Sequence, residues 1–416
     1  MLDPITMNGL RKTVYAAVLA FLHTGADAST CTSLANGEFV VASTWDCGCD
    51  PTSCDTLIIR HALTAHTDLE FARTVFVIEE SGSLVSDRKF ELGSTYITID
   101  GELEAPYLRF FDLGELTNNG SVSGSSVITT KNVTYNYGSF YGSDSVVIGW
   151  YRQFQNNGSL ISNVLYSLGT LNNYATINSN SLFMHLSLFN AGEIVVLGRM
   201  TGALFFDNDG TISADSLIIR GSGYSQGTIV CASAFVLGYE GQTGDLVITG
   251  SSLLVTEDFH ILQDYSLEGS GTVCVSGHSE NHGALVGSLD ICDATPTMTV
   301  PPYLDVNTGT FPWGYTSCTE AVCSTAGLPD RSTEATARFF PSPVVDRLVV
   351  ELEGVPAGLV DLELYNMLGK QVRVERGLPA IGFTLVRDPG SVGLHLAILR
   401  GSDGRVLLTR SILFAP

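Results

Sequence analysis

Short segments of alternating apolar and polar residues, separated by polar turns, are the main pattern of this chain. The segments 125–130, 144–148 and 215–219 are rich in β-branched residues and are bounded by Gly, Asn or Ser. Such segments are typical of β-strands, and the chain between them lacks the apolar period of 3.6 residues that indicates a helix. We therefore predict an all-β protein.

A five-residue turn motif recurs between these segments. It consists of a polar residue, any residue, a small residue, one further residue, and then an aliphatic residue or Phe, as in NAGEI at 190–194 and NDGTI at 208–212. The small residue falls at 82, 101, 120, 138, 158, 175, 192, 210, 227 and 244, so that the motif recurs every 17 to 20 residues. A fixed period of this kind indicates a solenoid.

One period holds two or three short strands with their turns, which is one coil of a right-handed parallel β-helix. In such a coil we expect the small residue at a corner, where Gly accepts a positive φ. The aliphatic residue should point inward and stack on its counterpart in the next coil. We also expect a partial asparagine ladder, formed by Asn118, Asn136, Asn156, Asn190 and Asn208.

The predicted domains follow from where this period begins and ends. We place the parallel β-helix at 71–293, with an insertion near 258–264, and a cysteine-rich N-terminal cap at 29–70. Residues 294–337 are predicted to be a linker or a C-terminal cap. From 338 to 416 the period is absent, and alternation between turn residues predicts about seven strands in a small β-sandwich.

The region 338–416 resembles the type A sorting domain of proteins exported by type IX secretion. The residues that carry this resemblance are Pro341, Pro343, Leu364, Tyr365, Asn366, Gly369 and Gly393. Ser342 and His395 depart from the family pattern, which has Asn and an aromatic residue there. The resemblance implies that the type IX secretion machinery carries the β-helix across the outer membrane, followed by release or by attachment to surface lipopolysaccharide.

The N-terminus has the pattern of a signal peptide over 1–28. Arg11 and Lys12 precede an apolar run at 14–22, and the small-residue site Ala26-Asp27-Ala28 follows. The run is too short to span a bilayer, and we predict no transmembrane segment. Together with the resemblance, this predicts a secreted or outer-surface protein that passes through the periplasm.

Charge and cysteine content agree with export. The formal net charge is −22, which disfavours nucleic acid as a partner, and the acidic surface offers Ca²⁺ a general attraction. In an exported chain we expect disulfides. The candidates are Cys31, Cys47, Cys49, Cys54, Cys292, Cys318 and Cys323, whereas Cys231 and Cys274 are expected to be buried thiols within coils. Zinc binding by the group at 47–54 is the alternative.

The sequence contains no convergent set of catalytic residues. Basic residues are few in the solenoid, and we expect none beside a clear acidic cluster on the neighbouring coil. Asp207 and Asp209 are weak Ca²⁺ candidates and no other cofactor is expected, while His278 and His282 have metal-like spacing across a predicted turn.

Exposed aromatic residues are the stronger functional signal. Tyr135, Tyr137, Tyr141, Trp150 and Tyr151 crowd two neighbouring coils, where they either stack on a ligand or pack within the coils. We therefore expect a structural, adhesive or glycan-binding surface protein, whose partners are glycans or other surface proteins. A polysaccharide lyase or glycoside hydrolase of the β-helix type is the alternative function.

Overall fold

A computed structural model gives the structure of most of the chain. It describes residues 29–48, 50–111, 113–239, 241–311, 316–317, 323, 336–340, 347–353, 359–366, 371–379, 382–388, 393–401 and 406–414. The predicted signal peptide lies outside the described residues. The chain divides into two compact units, residues 1–135 and 136–416.

The first unit is built from coils of a parallel β-solenoid. Its strands are β1 (Thr30–Thr32), β2 (Gly37–Glu38), β3 (Thr56–Ile59), β4 (Ala62–Ala65), β5 (Leu69–Ile78), β6 (Ser83–Ser86), β7 (Lys89–Ile99), β8 (Glu102–Glu104), β9 (Tyr107–Phe111), β10 (Glu115–Asn118), β11 (Ser121–Thr129) and β12 (Val133–Asn136). Short 3₁₀ turns at Ala42–Thr44 and Pro51–Ser53 follow β2. Pairs such as β3 with β5 and β5 with β7 are parallel, so each coil lies on the one before it.

The second unit begins with further solenoid coils, which are made of one long and one short strand up to β26 and of short strands after it. These strands are β13 (Ser139–Ile148), β14 (Gln153–Asn156), β15 (Ser159–Ser167), β16 (Thr170–Asn173), β17 (Thr176–Met184), β18 (Ser187–Asn190), β19 (Glu193–Thr201), β20 (Phe205–Asn208), β21 (Thr211–Ile219), β22 (Ser222–Ser225), β23 (Thr228–Leu237), β24 (Gly244–Ile248), β25 (Leu253–Ile261), β26 (Tyr265–Gly269), β27 (Thr272–Val275), β28 (Ser279–Asn281), β29 (Ala284–Gly287), β30 (Asp290–Asp293), β31 (Val306–Asn307) and β32 (Thr316–Ser317). The register shifts within long strands such as β13 and β19, which divides each of these strands between two faces of the coil. Parallel pairing continues past residue 293, because β30 pairs with β32.

Stacked aliphatic residues fill the interior of these coils, as the motif predicts. Ile177, Ile194, Ile212 and Ile229 occupy equivalent positions in successive coils and are buried. Each is the last residue of its turn motif, so the same sequence position repeatedly supplies the apolar surface whose removal from water stabilises the coil.

A buried asparagine ladder runs beside this aliphatic stack. The side-chain amide of Asn136 donates to Asn156, and the same contact repeats through Asn173, Asn190 and Asn208, each at 2.8 Å. At the end of the ladder Asn208 donates to the hydroxyl of Ser225, at 3.3 Å. The ladder therefore includes Asn173, which the sequence analysis left out.

The repeat glycines are needed for close stacking and not for a positive φ. A Cβ at Gly210 would collide with the carbonyl oxygen of Gly192, and one at Gly227 with that of Gly210. Among the described residues, glycines with positive φ lie elsewhere, for example Gly238. The expectation of left-handed corners was therefore wrong.

The predicted insertion is also displaced. Residues 258–261 belong to β25 and pair in register with β23, so they are not inserted. The extra residues lie at 238–243 and 249–252, on either side of β24. Gly244 consequently falls at another corner, where it stacks on Gly221, and it is out of phase with the other nine small residues.

The C-terminal part of the second unit forms the predicted small sandwich from two antiparallel sheets. Its strands are β33 (Thr336–Phe340), β34 (Arg347–Glu353), β35 (Leu359–Asn366), β36 (Gln371–Pro379), β37 (Gly382–Val386), β38 (Gly393–Gly401) and β39 (Val406–Phe414). One sheet has the order β33-β34-β37 and the other β36-β35-β38-β39. Leu348 and Val350 of the first sheet share one buried core with Leu362, Leu399 and Phe414 of the second.

Candidate functional site

A cluster of aromatic side chains lies on the surface of three successive coils of the second unit. We define this aromatic patch as Trp150, Tyr151, Tyr166, Phe183 and His185. Tyr166 and Phe183 occupy the same outward position in β15 and β17, because these strands pair in register. Trp150 and Tyr151 form the turn after β13, and His185 follows β17.

The rings of the patch contact one another across coils. Tyr166 and Phe183 are stacked at a centroid distance of 5.3 Å, with an interplanar angle of 14°. Trp150 packs edge-on against His185 at 4.5 Å, although one coil lies between them. Tyr151 lies 6.1 Å from Trp150, and its backbone has a φ of 56°.

Three of these aromatic side chains are largely exposed to solvent. Trp150 is 50% exposed, Tyr151 80% and Tyr166 41%. An exposed aromatic cluster of this kind is characteristic of a binding surface, since burial of its rings by a ligand is favourable. The tyrosine hydroxyls, the indole N–H and the imidazole provide polar groups that orient a ligand.

The structure separates the five aromatic residues proposed from the sequence. Trp150 and Tyr151 belong to the patch. Tyr141 is half-buried in the first half of β13, where burial, with a smaller effect from Asp144, raises its hydroxyl pKa to about 12. Tyr137 is 37% exposed in the turn after β12, and Tyr135 lies within β12.

Sequence reasoning missed Tyr166, Phe183 and His185. The signal that locates them is the coil period, since Tyr166 and Phe183 lie one and two coils after Val147 in the same outward column. The sequence analysis selected aromatic residues that are close together in the chain, whereas the aromatic patch is assembled across coils.

The cysteines form two three-residue groups, one in each unit. In the first unit Cys31 lies within bonding distance of both Cys47 and Cys54, with Cα–Cα distances of 5.2 and 6.2 Å. In the second unit Cys274 is paired with Cys323, at a Cα–Cα distance of 5.5 Å, and stands opposite Cys292 in the neighbouring coil. These distances suit one disulfide in each group, because a cysteine sulfur bonds to one partner only.

Two expectations about single cysteines have different outcomes. Cys274 was expected to be a buried thiol, which is wrong because it is bonded to Cys323. Cys231 is a buried free thiol, whose pKa burial raises to about 12. Cys49 and Cys318 lie outside the described residues.

The Ca²⁺ candidates do not form a multidentate site. Burial raises the pKa of Asp207, and the neighbouring charge of Asp209 raises it further. Among the described residues, only the two cysteine groups bring three ligand atoms within 4.8 Å of one another. A Ca²⁺ ion takes six to eight oxygen ligands.

Some basic residues lie beside single carboxylates of their own or of the neighbouring coil. Glu91 is nearly buried between Lys89, at 3.0 Å, and Arg109, at 3.6 Å. Arg60 forms a similar pair with Glu79 at 2.9 Å. The negative charge of Glu91 is thus balanced by its two cationic neighbours.

Part of the motif that resembles a sorting domain falls on described residues. Leu364 is buried in the sandwich core, and the hydroxyl of Tyr365 donates to Glu363 at 3.0 Å. Asn366 stands opposite His395, whose ring packs edge-on against Phe414 at 4.9 Å. Gly393 begins β38, whereas Pro341, Pro343 and Gly369 lie outside the described residues.

The fold and this surface define a class: a parallel β-solenoid protein with an exposed aromatic patch and a C-terminal β-sandwich. Comparison with protein-family models, with curated proteins and with solved structures gave no match. In the described part of the chain, no helix is long and apolar enough to cross a membrane.

Proposed function

We propose that this protein is a secreted or cell-surface β-solenoid that binds neutral glycans through the aromatic patch. The observation that carries the proposal is the exposure of Trp150, Tyr151 and Tyr166 on adjoining coils. The face of a pyranose ring presents C–H groups, which pack favourably against the electron-rich face of an aromatic ring.

The charge of the protein narrows the class of glycan. With a formal net charge of −22, the chain repels uronic and sulfated sugars. Neutral hexose and N-acetylhexosamine chains carry no such penalty, and hydroxyl and amide groups can bond to the polar edge of the patch.

A glycan array screened with the full chain tests the binding function. Neutral oligosaccharides should be retained, and uronic or sulfated ones should not. Retention of acidic glycans alone would contradict the proposal.

The alternative function, cleavage of a polysaccharide, is tested by the release of reducing ends from the same glycans. The cross-coil group of Lys89, Glu91 and Arg109 has the residue types that such chemistry uses, but its carboxylate is ion-paired and nearly buried. Measurable turnover would replace the binding proposal with the enzymatic one.

We further propose export by type IX secretion, with the C-terminal sandwich as the sorting domain. What supports this is the signal-peptide pattern at 1–28 and the motif residues Leu364, Tyr365 and Gly393 within a seven-stranded sandwich. In a bacterium with this system, the full chain should reach the surface or the medium, and a chain ending at residue 337 should stay in the periplasm. A Trp150→Ala chain is the matched control and should be exported normally; equal export of the truncated chain would contradict the proposal.

A further inference from the structure

Three of the chain's eight histidines surround one carboxylate on the solenoid surface. We define the histidine cluster as His260, His278, Glu280, His282 and Asp305. His278, Glu280 and His282 alternate on and beside β28, so their side chains leave the same side of the strand. His260 of β25 stands opposite Glu280 in the neighbouring coil. The predicted turn at 278–282 is therefore a strand with its flanking residues.

Both oxygens of Glu280 face imidazole nitrogens. The Nε2 atom of His278 lies 2.8 Å from Oε1 of Glu280. On the other oxygen, Oε2, Nδ1 of His260 lies at 3.2 Å and Nε2 of His282 at 3.5 Å. Donor atoms that share a tetrahedral zinc ion are separated by about 3.3 Å, as follows from metal–ligand bonds of about 2.0–2.1 Å.

Asp305 determines which ring nitrogen of His278 faces Glu280. Its carboxylate lies 3.0 Å from Nδ1 of His278 and is held by the backbone N–H groups of Ser279 and Thr297, at 3.2 and 2.9 Å. In the imidazolium form both ring nitrogens of His278 donate, one to each carboxylate. In the neutral form the hydrogen on Nδ1 bonds to Asp305, and the lone pair on Nε2 is then available to a metal ion beside Glu280.

We propose that the histidine cluster binds one divalent transition-metal ion of the zinc class. Glu280 and Nε2 of His278 are the central ligands, His260 and His282 complete the site, and Asp305 is a positioning residue that orients His278. Imidazole and carboxylate are the donors that such ions prefer, and the carboxylate–histidine–metal arrangement recurs in zinc sites.

Binding needs a small movement of the rings. Only the cysteine groups already bring three ligand atoms within 4.8 Å among the described residues, so an ion draws the imidazoles closer around Glu280. The side chains of His260, His278 and His282 are 26%, 46% and 37% exposed, so an ion in solution can reach them.

Cobalt distinguishes this site from the cysteine groups. The full chain, oxidised and stripped of metal, is titrated with Co²⁺ and its visible and near-ultraviolet spectra are recorded. We expect one equivalent to bind with the d–d bands of nitrogen and oxygen ligation and without a thiolate-to-cobalt charge-transfer band. Absence of binding, or a thiolate band at the first equivalent, would overturn the proposal, and this test needs no variant.

Variants then assign the ligands. Glu280→Gln and His278→Ala should each weaken Co²⁺ binding at least tenfold, and Asp305→Asn should weaken it about 10- to 100-fold. The matched control is His66→Ala, which removes an exposed histidine paired with Asp87 at 3.2 Å in the first unit and should leave the affinity unchanged. Variants with wild-type affinity would show that the ion binds elsewhere, provided that circular dichroism shows a wild-type fold.

Discussion

Asparagine suits the coil corner because its side chain both donates and accepts a hydrogen bond. Asn173 accepts from Asn156 and donates to Asn190, and the same side chain also donates to the carbonyl of Glu193 at 3.1 Å. All three asparagines are fully buried. An amide group that lost its hydrogen bond would therefore destabilise the fold by its full desolvation free energy. The ladder therefore stabilises the corner only while it is continuous.

Asn173→Ala should lower the free energy of unfolding by about 1–3 kcal/mol, since it leaves buried groups of Asn156 and Asn190 unsatisfied. Denaturant unfolding measures the effect. The control is Asn172→Ala, which removes an outward asparagine from the same strand, β16, and should change the stability by less than about 0.5 kcal/mol. Equal effects of the two variants would show that the ladder adds nothing to stability.

Cys231 should be inert in the folded protein. Because burial raises its pKa to about 12, the thiol stays protonated at ordinary pH, and only the thiolate is nucleophilic. Iodoacetamide at pH 8 should leave the Cys231 peptide unmodified in the native chain and alkylate it in urea, as mass spectrometry can show. Alkylation of the native protein at the rate of the unfolded chain would contradict the buried position.

At the scale of the element, the short distance between coils determines how large the residue at the small position of the turn motif can be. Gly210 has no room for a Cβ, because the carbonyl of Gly192 in the preceding coil occupies that space. The strands on either side of this corner, β20 and β21, are fixed by pairing with the preceding coil, for example Phe206 with Leu188. The corner therefore cannot move away.

Gly210→Ala should therefore destabilise the protein by about 1–3 kcal/mol, as overpacked interiors do. Thermal or denaturant unfolding measures this change. Asp209→Ala, at the exposed neighbouring position, serves as the control and should be close to neutral. If Gly210→Ala matched its control, the corners would be looser than the structure shows.

Much of the solenoid follows from its sequence period, because each coil repeats one turn. The inward positions of Ile194 and Ile212 follow directly from the motif, and both are buried. The period fails where a coil changes length. Gly244 resembles a corner glycine, but the residues added around β24 place it elsewhere in the coil.

The surface sites were harder to predict, since they join residues from different coils. Trp150 meets His185 across an intervening coil, and Cys274 meets Cys323 at a sequence separation of 49. No local motif encodes such contacts. Once the register between coils is known, residues at equivalent positions of successive coils can be recognised as neighbours. Tyr166 and Phe183 could have been found in this way.

At the scale of the whole molecule, the two kinds of sheet suit different tasks. Parallel coils repeat their outward columns of side chains, so successive coils together form one continuous surface, as in the aromatic patch. The antiparallel C-terminal sandwich has its own buried core, around Leu362 and Leu399. The proposed function thus assigns binding to the solenoid and export to the sandwich.

The most direct test is the affinity of the purified full chain for a neutral oligosaccharide found on the array, measured by titration calorimetry. Replacing both Trp150 and Tyr166 with Ala should weaken binding at least tenfold, which corresponds to about 1.4 kcal/mol. Tyr96→Ala, which removes a tyrosine that is 54% exposed in the first unit, should bind as the wild type does. Unchanged affinity of the double variant, with its fold intact, would contradict the assignment of glycan binding to the aromatic patch.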